Sequence, residues 1–196
     1  MNESRERGYR KKTGEYALTE GQVNKLLSMV GRLDHEVLLR IAIELGLRRA
    51  DIVSIEQANI NLDKKWLVFV EHKKQNKLHW VPLSDSLCKL LEQYLHIVGW
   101  RKNKWLFPSS HNPRKHINDK TAWNILNMYL LKANLPQRPF HALRATCIKL
   151  CQRKGWSIEQ VMKLTNDTFR TIKEHYDIPG EEEMLEVAKE KPLFGE

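Results

Sequence analysis

Cysteine is scarce in this 196-residue sequence: Cys88, Cys147 and Cys151 are an odd set of three, with no paired metal-ligand spacing. That excludes a disulfide scaffold and a cysteine-built metal site, and it fits the reduced thiols of a cytoplasmic protein. Long apolar runs are missing too. The longest, Val37 to Leu47, is broken by Arg40 and Glu44 and falls well short of the roughly 20 apolar residues of a bilayer-spanning helix, so no membrane partner is expected. Asn2, Glu3, Ser4 and Arg5 near the start offer no apolar h-region, and no secretory signal is expected. Internal repeats and low-complexity tracts are absent. Acidic residues are outnumbered: 24 Asp and Glu face 33 Lys and Arg, a formal net charge of +9. At 41% hydrophobic and 29% charged, the chain is apolar enough for a folded core, which excludes wholesale disorder. A basic folded domain of this kind suggests a polyanionic partner, with nucleic acid first among the candidates.

The first residues carry Arg5, Arg7, Arg10, Lys11 and Lys12 with almost nothing apolar, and 1–15 reads as a flexible basic arm. Helical spacing begins with Val23, Leu26, Leu27 and Val30, behind a capping box made by Thr19 and Gln22. Asp34 is expected to cap a second helix through Val37, Leu38, Ile41, Ala42 and Leu45, ending near Gly46, and a short third helix runs from Arg49 to about Ile55. Trp66 to Val70 and His79 to Pro82 read as two strands of a hairpin with a basic tip from Lys73 to Lys77, and Trp105 to Phe107 as a third short strand. Helical patterns then recur at Leu87 to Leu95, Asp119 to Leu131, Phe140 to Arg153, Ser157 to Leu164 with Gln160 completing a capping box, and Thr168 to Tyr176. Asp177, Ile178, Pro179 and Gly180 break the last of these, and Glu181 to Glu190 forms a separate acidic helix. Tyr94 and Tyr129 fall within apolar patterns and belong to the core, as do Cys147 and Cys151, whereas Tyr176, between His175 and Asp177, need not be core, which leaves its hydroxyl available.

Four scattered segments share one order and spacing. Gly46-Leu47-Arg48-Arg49-Ala50-Asp51 resembles the Gly-Leu-Arg-x-x-Glu signature of the tyrosine recombinase (phage integrase) family. The tip Lys74-Gln75-Asn76-Lys77-Leu78-His79-Trp80 leading into Val81-Pro82-Leu83 resembles that family's lysine-bearing hairpin. Pro139-Phe140-His141-Ala142-Leu143-Arg144 is similar to its His-x-x-Arg box, and Tyr176 stands where its nucleophile would be. Each motif alone is weak, whereas the ordered set from about Tyr16 to Tyr176 is strong. The resemblance implies an α+β, mainly helical catalytic domain over 16–178 with a small antiparallel three-stranded sheet. It also implies cleavage and rejoining of double-stranded DNA in site-specific recombination by a synaptic tetramer, with no cofactor and no metal.

The chemistry asks for these residue types. Phosphodiester transesterification builds negative charge on the nonbridging oxygens, which two guanidiniums, Arg48 and Arg144, are suited to grip. A tyrosine hydroxyl with a pKa near ~10 needs a base or a positive site before it attacks, and His141, one helical turn before Arg144, can move its proton or hold the phosphate. The leaving 5′-oxygen needs an acid, and the resemblance points to Lys74, with Lys73 adjacent. Asp51 takes the place of the supporting acid. Arg49, Lys73, Lys77, Arg114 and Lys115 are expected to contact DNA.

Two departures from the family pattern stand out. Thr165-Asn166-Asp167 replaces the usual Leu-Gly-His before the nucleophile, which leaves Asn166 or Asp167 as the accessory group and sets an acid that repels phosphate unless Arg or Lys neutralises it. Ala145 stands where many members carry a second histidine. The family's N-terminal clamp domain has no counterpart in this sequence, and 179–196 is placed to dock on a neighbouring protomer. The alternatives are a DNA-binding relative without strand cleavage and a type IB topoisomerase-like enzyme.

Overall fold

The computed structural model describes residues 13–71, 77–98, 103–176 and 181–190. A 3-10 turn, Thr13–Tyr16, leads into α1 (Glu20–Ser28), which starts on the capping box of Thr19 and Gln22. Then come α2 (Leu33–Leu45) and the single-turn α3 (Arg49–Val53). Three strands follow, β1 (Ile60–Asn61), β2 (Trp66–Glu71) and β3 (Lys77–Pro82). The remainder is helical: α4 (Asp85–Val98), α5 (Asp119–Lys132), α6 (Ala142–Arg153), α7 (Ile158–Thr165), α8 (Phe169–His175) and α9 (Glu181–Glu190). Ser157 and Gln160 form the capping box of α7, and Thr168 caps α8.

The core is built around α2, whose Val37, Leu38, Leu39, Ile41 and Ala42 are buried, because α6 and α4 pack against it and α3 and α5 adjoin it. Arg40 and Glu44 keep to the half-buried edge of this wide apolar stripe, paired with one another at 2.5 Å. The sheet has the order β1-β2-β3, all antiparallel. Strand alternation buries Leu67, Phe69 and Val81 against the helices, and sets Trp66 beside Trp80 on the other face, ring centroids 5.6 Å apart. Tyr94 and Tyr129 are buried as their helical spacing predicts; the Tyr94 hydroxyl donates to Leu106 O at 2.8 Å. Cys147 and Cys151 are likewise buried.

Three expectations are corrected. The third strand is Ile60–Asn61, not Trp105 to Phe107: Trp105 makes a lone bridge to Glu56, while Leu106 and Phe107 are apolar because they fill the core. Asp34 does not cap α2. Arg32 occupies the cap position, and Asp34 sits within the first turn, where Arg32 donates to it at 2.7 and 3.1 Å. Tyr176 is inside, 3% exposed, because it lies one turn after the fully buried Ile172 on the same helical stripe. The hairpin tip with Lys73 and Lys74, the basic residues up to Lys12, and the Pro179-Gly180 break lie outside the described residues.

Candidate active site

Helix ends build the site. Gly46 ends α2 in the left-handed region, φ 60°, where glycine carries no Cβ penalty. The turn that follows makes Arg48 the extended N-cap residue of α3. His141 opens α6 and sets Arg144 in its first turn. Asn166, also left-handed at φ 53°, ends α7, so that Asp167 lies in the tight link to α8, at whose far end stands Tyr176. Glu71 is the last residue of β2.

One carboxylate joins the two arginines. Asp167 Oδ1 accepts from Arg48 Nη2 at 3.2 Å, while Oδ2 accepts from Arg144 Nε at 3.1 Å and lies 2.7 Å from Nη2. Arg144 also donates from Nη1 to Gly46 O at 2.5 Å and from Nη2 to Thr165 O at 2.6 Å, so each of its nitrogens faces an acceptor. Its side chain is 2% exposed. Arg48 is the more open of the pair, at 19%, and its Nη1 pairs with Glu71 Oε1. Asn166 Nδ2 donates to the other Glu71 oxygen. Beside this network, His141 Nε2 and the Tyr176 hydroxyl are 2.6 Å apart.

The electrostatics follow from burial. Loss of water, with the like charge of Arg144, lowers the Arg48 guanidinium below its ordinary value, while Asp167 and Asp51 oppose the shift. Burial raises the Tyr176 hydroxyl; Arg144 and Arg48 pull it down and Asp167 pushes it up. Burial thus favours the neutral phenol, which lies close to the His141 imidazole and to two guanidiniums.

The structure gathers five of the expected residues, Arg48, His141, Arg144, Asp167 and Tyr176, and holds Asn166 next to them through Glu71. Asp51 is buried in α3, near enough to act on Arg48 electrostatically. Arg49 lies to one side, paired at 3.1 Å with Asp119 in the first turn of α5. Lys77 is exposed at the start of β3; Arg114 and Lys115 are exposed on the loop before α5, which is tied down where Trp105 Nε1 donates to Arg114 O at 3.0 Å. Lys73 and Lys74 lie outside the described residues. Glu71 was not anticipated, although strand alternation carries Leu67 and Phe69 one step further to it on the inward face.

A mainly helical body with a three-stranded antiparallel sheet and an arginine pair beside a tyrosine at a helix end defines a tyrosine recombinase catalytic domain. The profile of the Phage integrase family matches residues 17–176, and the chain belongs to that family. Tyrosine recombinase XerA of Pyrococcus horikoshii is 28% identical over 151 residues, 76% of this chain and 51% of the relative. Among solved structures, the crystal structure of XerA recombinase superposes with a TM-score of 0.77 at 16% identity, covering 91% of this chain and 66% of that one. A lambda integrase tetramer bound to a Holliday junction gives 0.63 at 18% identity, over 78% of this chain and 46% of the other. The chain spans about half or less of the length of the curated relatives it matches.

Proposed function

We propose that this chain cuts and rejoins double-stranded DNA through a phosphotyrosyl intermediate, as the catalytic part of a site-specific recombinase. The observation that carries the reading is the 2.6 Å contact between His141 Nε2 and the Tyr176 hydroxyl beside the Arg48 and Arg144 guanidiniums. In the proposed reaction the Tyr176 oxygen attacks the scissile phosphorus and passes its proton to the unprotonated Nε2 of His141. The P–O bond to the 5′-oxygen breaks, and that oxygen takes a proton from Lys74. Arg48 and Arg144 carry the charge that builds on the nonbridging oxygens. Attack of a 5′-hydroxyl on the phosphotyrosine reverses each step, so bond energy is conserved and no nucleotide is consumed.

The reading extends to assembly. The lambda neighbour is a tetramer on a Holliday junction, and a homo-tetramer on synapsed DNA is proposed for this chain as well. The acidic helix α9 supports it, with Met184, Leu185 and Val187 exposed, as does a groove of about 500 Å³ lined in part by Ile43, Leu83, Leu150 and Trp156 with Lys154. DNA contacts are assigned to Arg49, Lys73, Lys77, Arg114 and Lys115. The second reading, a DNA-binding relative that does not cleave, is favoured by one feature: Asp167 fills the edge of Arg144 that a phosphate would use.

One experiment decides between them. Incubating the protein with genomic DNA, recovering covalent adducts under denaturing conditions and sequencing their ends gives the target sites. Nicked duplexes carrying those sites then trap the intermediate, and Tyr176→Phe abolishes it. Absence of any adduct supports the binding-only reading, and an adduct that survives Tyr176→Phe refutes the nucleophile.

A further inference from the structure

Glu71 is a buried acid to which the proposed reaction gives no role. Its side chain is 1% exposed at the end of β2, and both its oxygens are engaged, one by Arg48 Nη1 and the other by Asn166 Nδ2. An ion is expensive to bury unless it is paired and hydrogen-bonded, so Glu71 and Arg48 hold one another. The pair joins three elements: the end of β2, the start of α3 and the left-handed residue that ends α7. Arg48 is held from two directions. Asp167 reaches it at Nη2, on the side shared with Arg144, whereas Glu71 reaches it at Nη1, from the sheet.

A phosphate that takes over the shared edge from Asp167 removes one of the two anchors of Arg48 and leaves the other. A guanidinium on a long flexible side chain gives little transition-state stabilisation unless its direction is fixed beforehand. From this arrangement we infer that Glu71 is a positioning residue, acting through Arg48 to keep its guanidinium aimed at the scissile phosphate after Asp167 has given way. The inference rests on the cleavage reading above.

The test measures initial rates of adduct formation by the full chain on a nicked duplex bearing a site recovered as described. The scissile position is either an ordinary phosphodiester or a methylphosphonate, which lacks one charged nonbridging oxygen and asks less of the guanidinium. Glu71→Gln keeps the shape and removes the charge; it lowers the rate on phosphodiester by about tenfold or more. Arg48→Ala lowers it further, and Glu71→Gln adds nothing in the Arg48→Ala background, because its effect passes through the missing side chain. Both single variants recover toward the wild-type rate on methylphosphonate. Circular dichroism and thermal melting check the fold, and Glu71→Asp, which keeps the charge but withdraws it by one methylene, repeats the test if Glu71→Gln does not fold. A loss equal on both substrates, a further loss in the Arg48→Ala background, or a wild-type rate overturns the inference. Absence of any adduct with the wild-type protein is a different result and overturns the cleavage reading itself.

Discussion

Asp167 holds Arg144 at two points, 2.7 Å from Nη2 and 3.1 Å from Nε, with the two side chains 6% and 2% exposed. An acid at this position repels a phosphate unless it is neutralised, and here two arginines neutralise it, since Arg48 takes its other oxygen. The carboxylate thus spans the guanidiniums as two nonbridging phosphate oxygens would. With Gly46 O and Thr165 O taking the remaining directions of Arg144, a phosphate reaches that arginine by displacing Asp167.

Asp167→Asn separates the two consequences of this contact. Removing the charge leaves a buried guanidinium incompletely compensated, and the isolated chain loses about 3 kcal/mol of stability. The same change removes the group competing for the arginine edge, so the variant binds duplex DNA more tightly at equal salt and gains more stability from it than the wild type does. Urea unfolding with and without a short duplex measures both. Unchanged stability, or weaker DNA binding, contradicts the competition.

Tyr176 titrates late. Its folded value lies above the ordinary ~10 of tyrosine because burial disfavours the phenolate. The sign follows: the fold favours the neutral form, so this stabilisation is complete below about pH 10 and is lost as pH rises through the folded value. Ultraviolet titration of phenolate absorbance in the wild type and Tyr176→Phe gives a difference curve displaced to higher pH than a free tyrosine. The stability of the wild type relative to Tyr176→Phe falls above pH 10.

Much of this architecture is written locally in the chain. The capping boxes of Thr19 with Gln22 and of Ser157 with Gln160 are read directly from their spacing, because each is a contact within one turn. The motif segments of Arg48, of His141 with Arg144, and of Tyr176 meet in space in the order the chain gives them, while the tip with Lys74 lies outside the described residues. What the chain hides is what depends on distant partners. A two-residue strand, Ile60–Asn61, carries no period, whereas Leu106 and Phe107 look like a strand only because they are buried. Glu71 is visible once β2 is extended one residue beyond Val70, yet its meaning lies with Arg48 and Asn166, 23 and 95 residues away in sequence. Tyr176 has polar neighbours on either side, and only the stripe it shares with Ile172 reveals that it turns inward.

The lysine assignment has a chemical test. A 5′-bridging sulfur leaves as a thiolate that needs little protonation. Lys74→Ala is expected to lower adduct formation on an ordinary phosphodiester by about a hundredfold, within the range of general acid catalysis, and to cut the sulfur-bridged duplex close to the wild-type rate. Rescue of Lys73→Ala instead moves the acid to the neighbouring residue, and rescue of neither removes the hairpin from proton transfer.

Gly46 links stability to the site. Its φ of 60° lies in the left-handed region, and a Cβ there meets Cys147 Sγ at 3.0 Å, Cys147 Cβ at 3.1 Å and Thr165 Cγ2 at 3.3 Å. Gly46→Ala therefore carries backbone strain of about 1–2 kcal/mol, and relieving the contacts adds to it by pushing α6 and the end of α7 away. The same backbone unit supplies the carbonyl that fixes Arg144 Nη1, and Thr165 supplies the one that fixes Nη2. The displacement thus reaches the guanidinium, and adduct formation drops by more than the stability change accounts for when rates are compared well below the melting temperature. Cys147→Ala in the Gly46→Ala background removes the sulfur at 3.0 Å and restores part of the lost rate, while the strain at φ 60° stays. If the second substitution restores nothing, the crowding at Cys147 is not what moves Arg144.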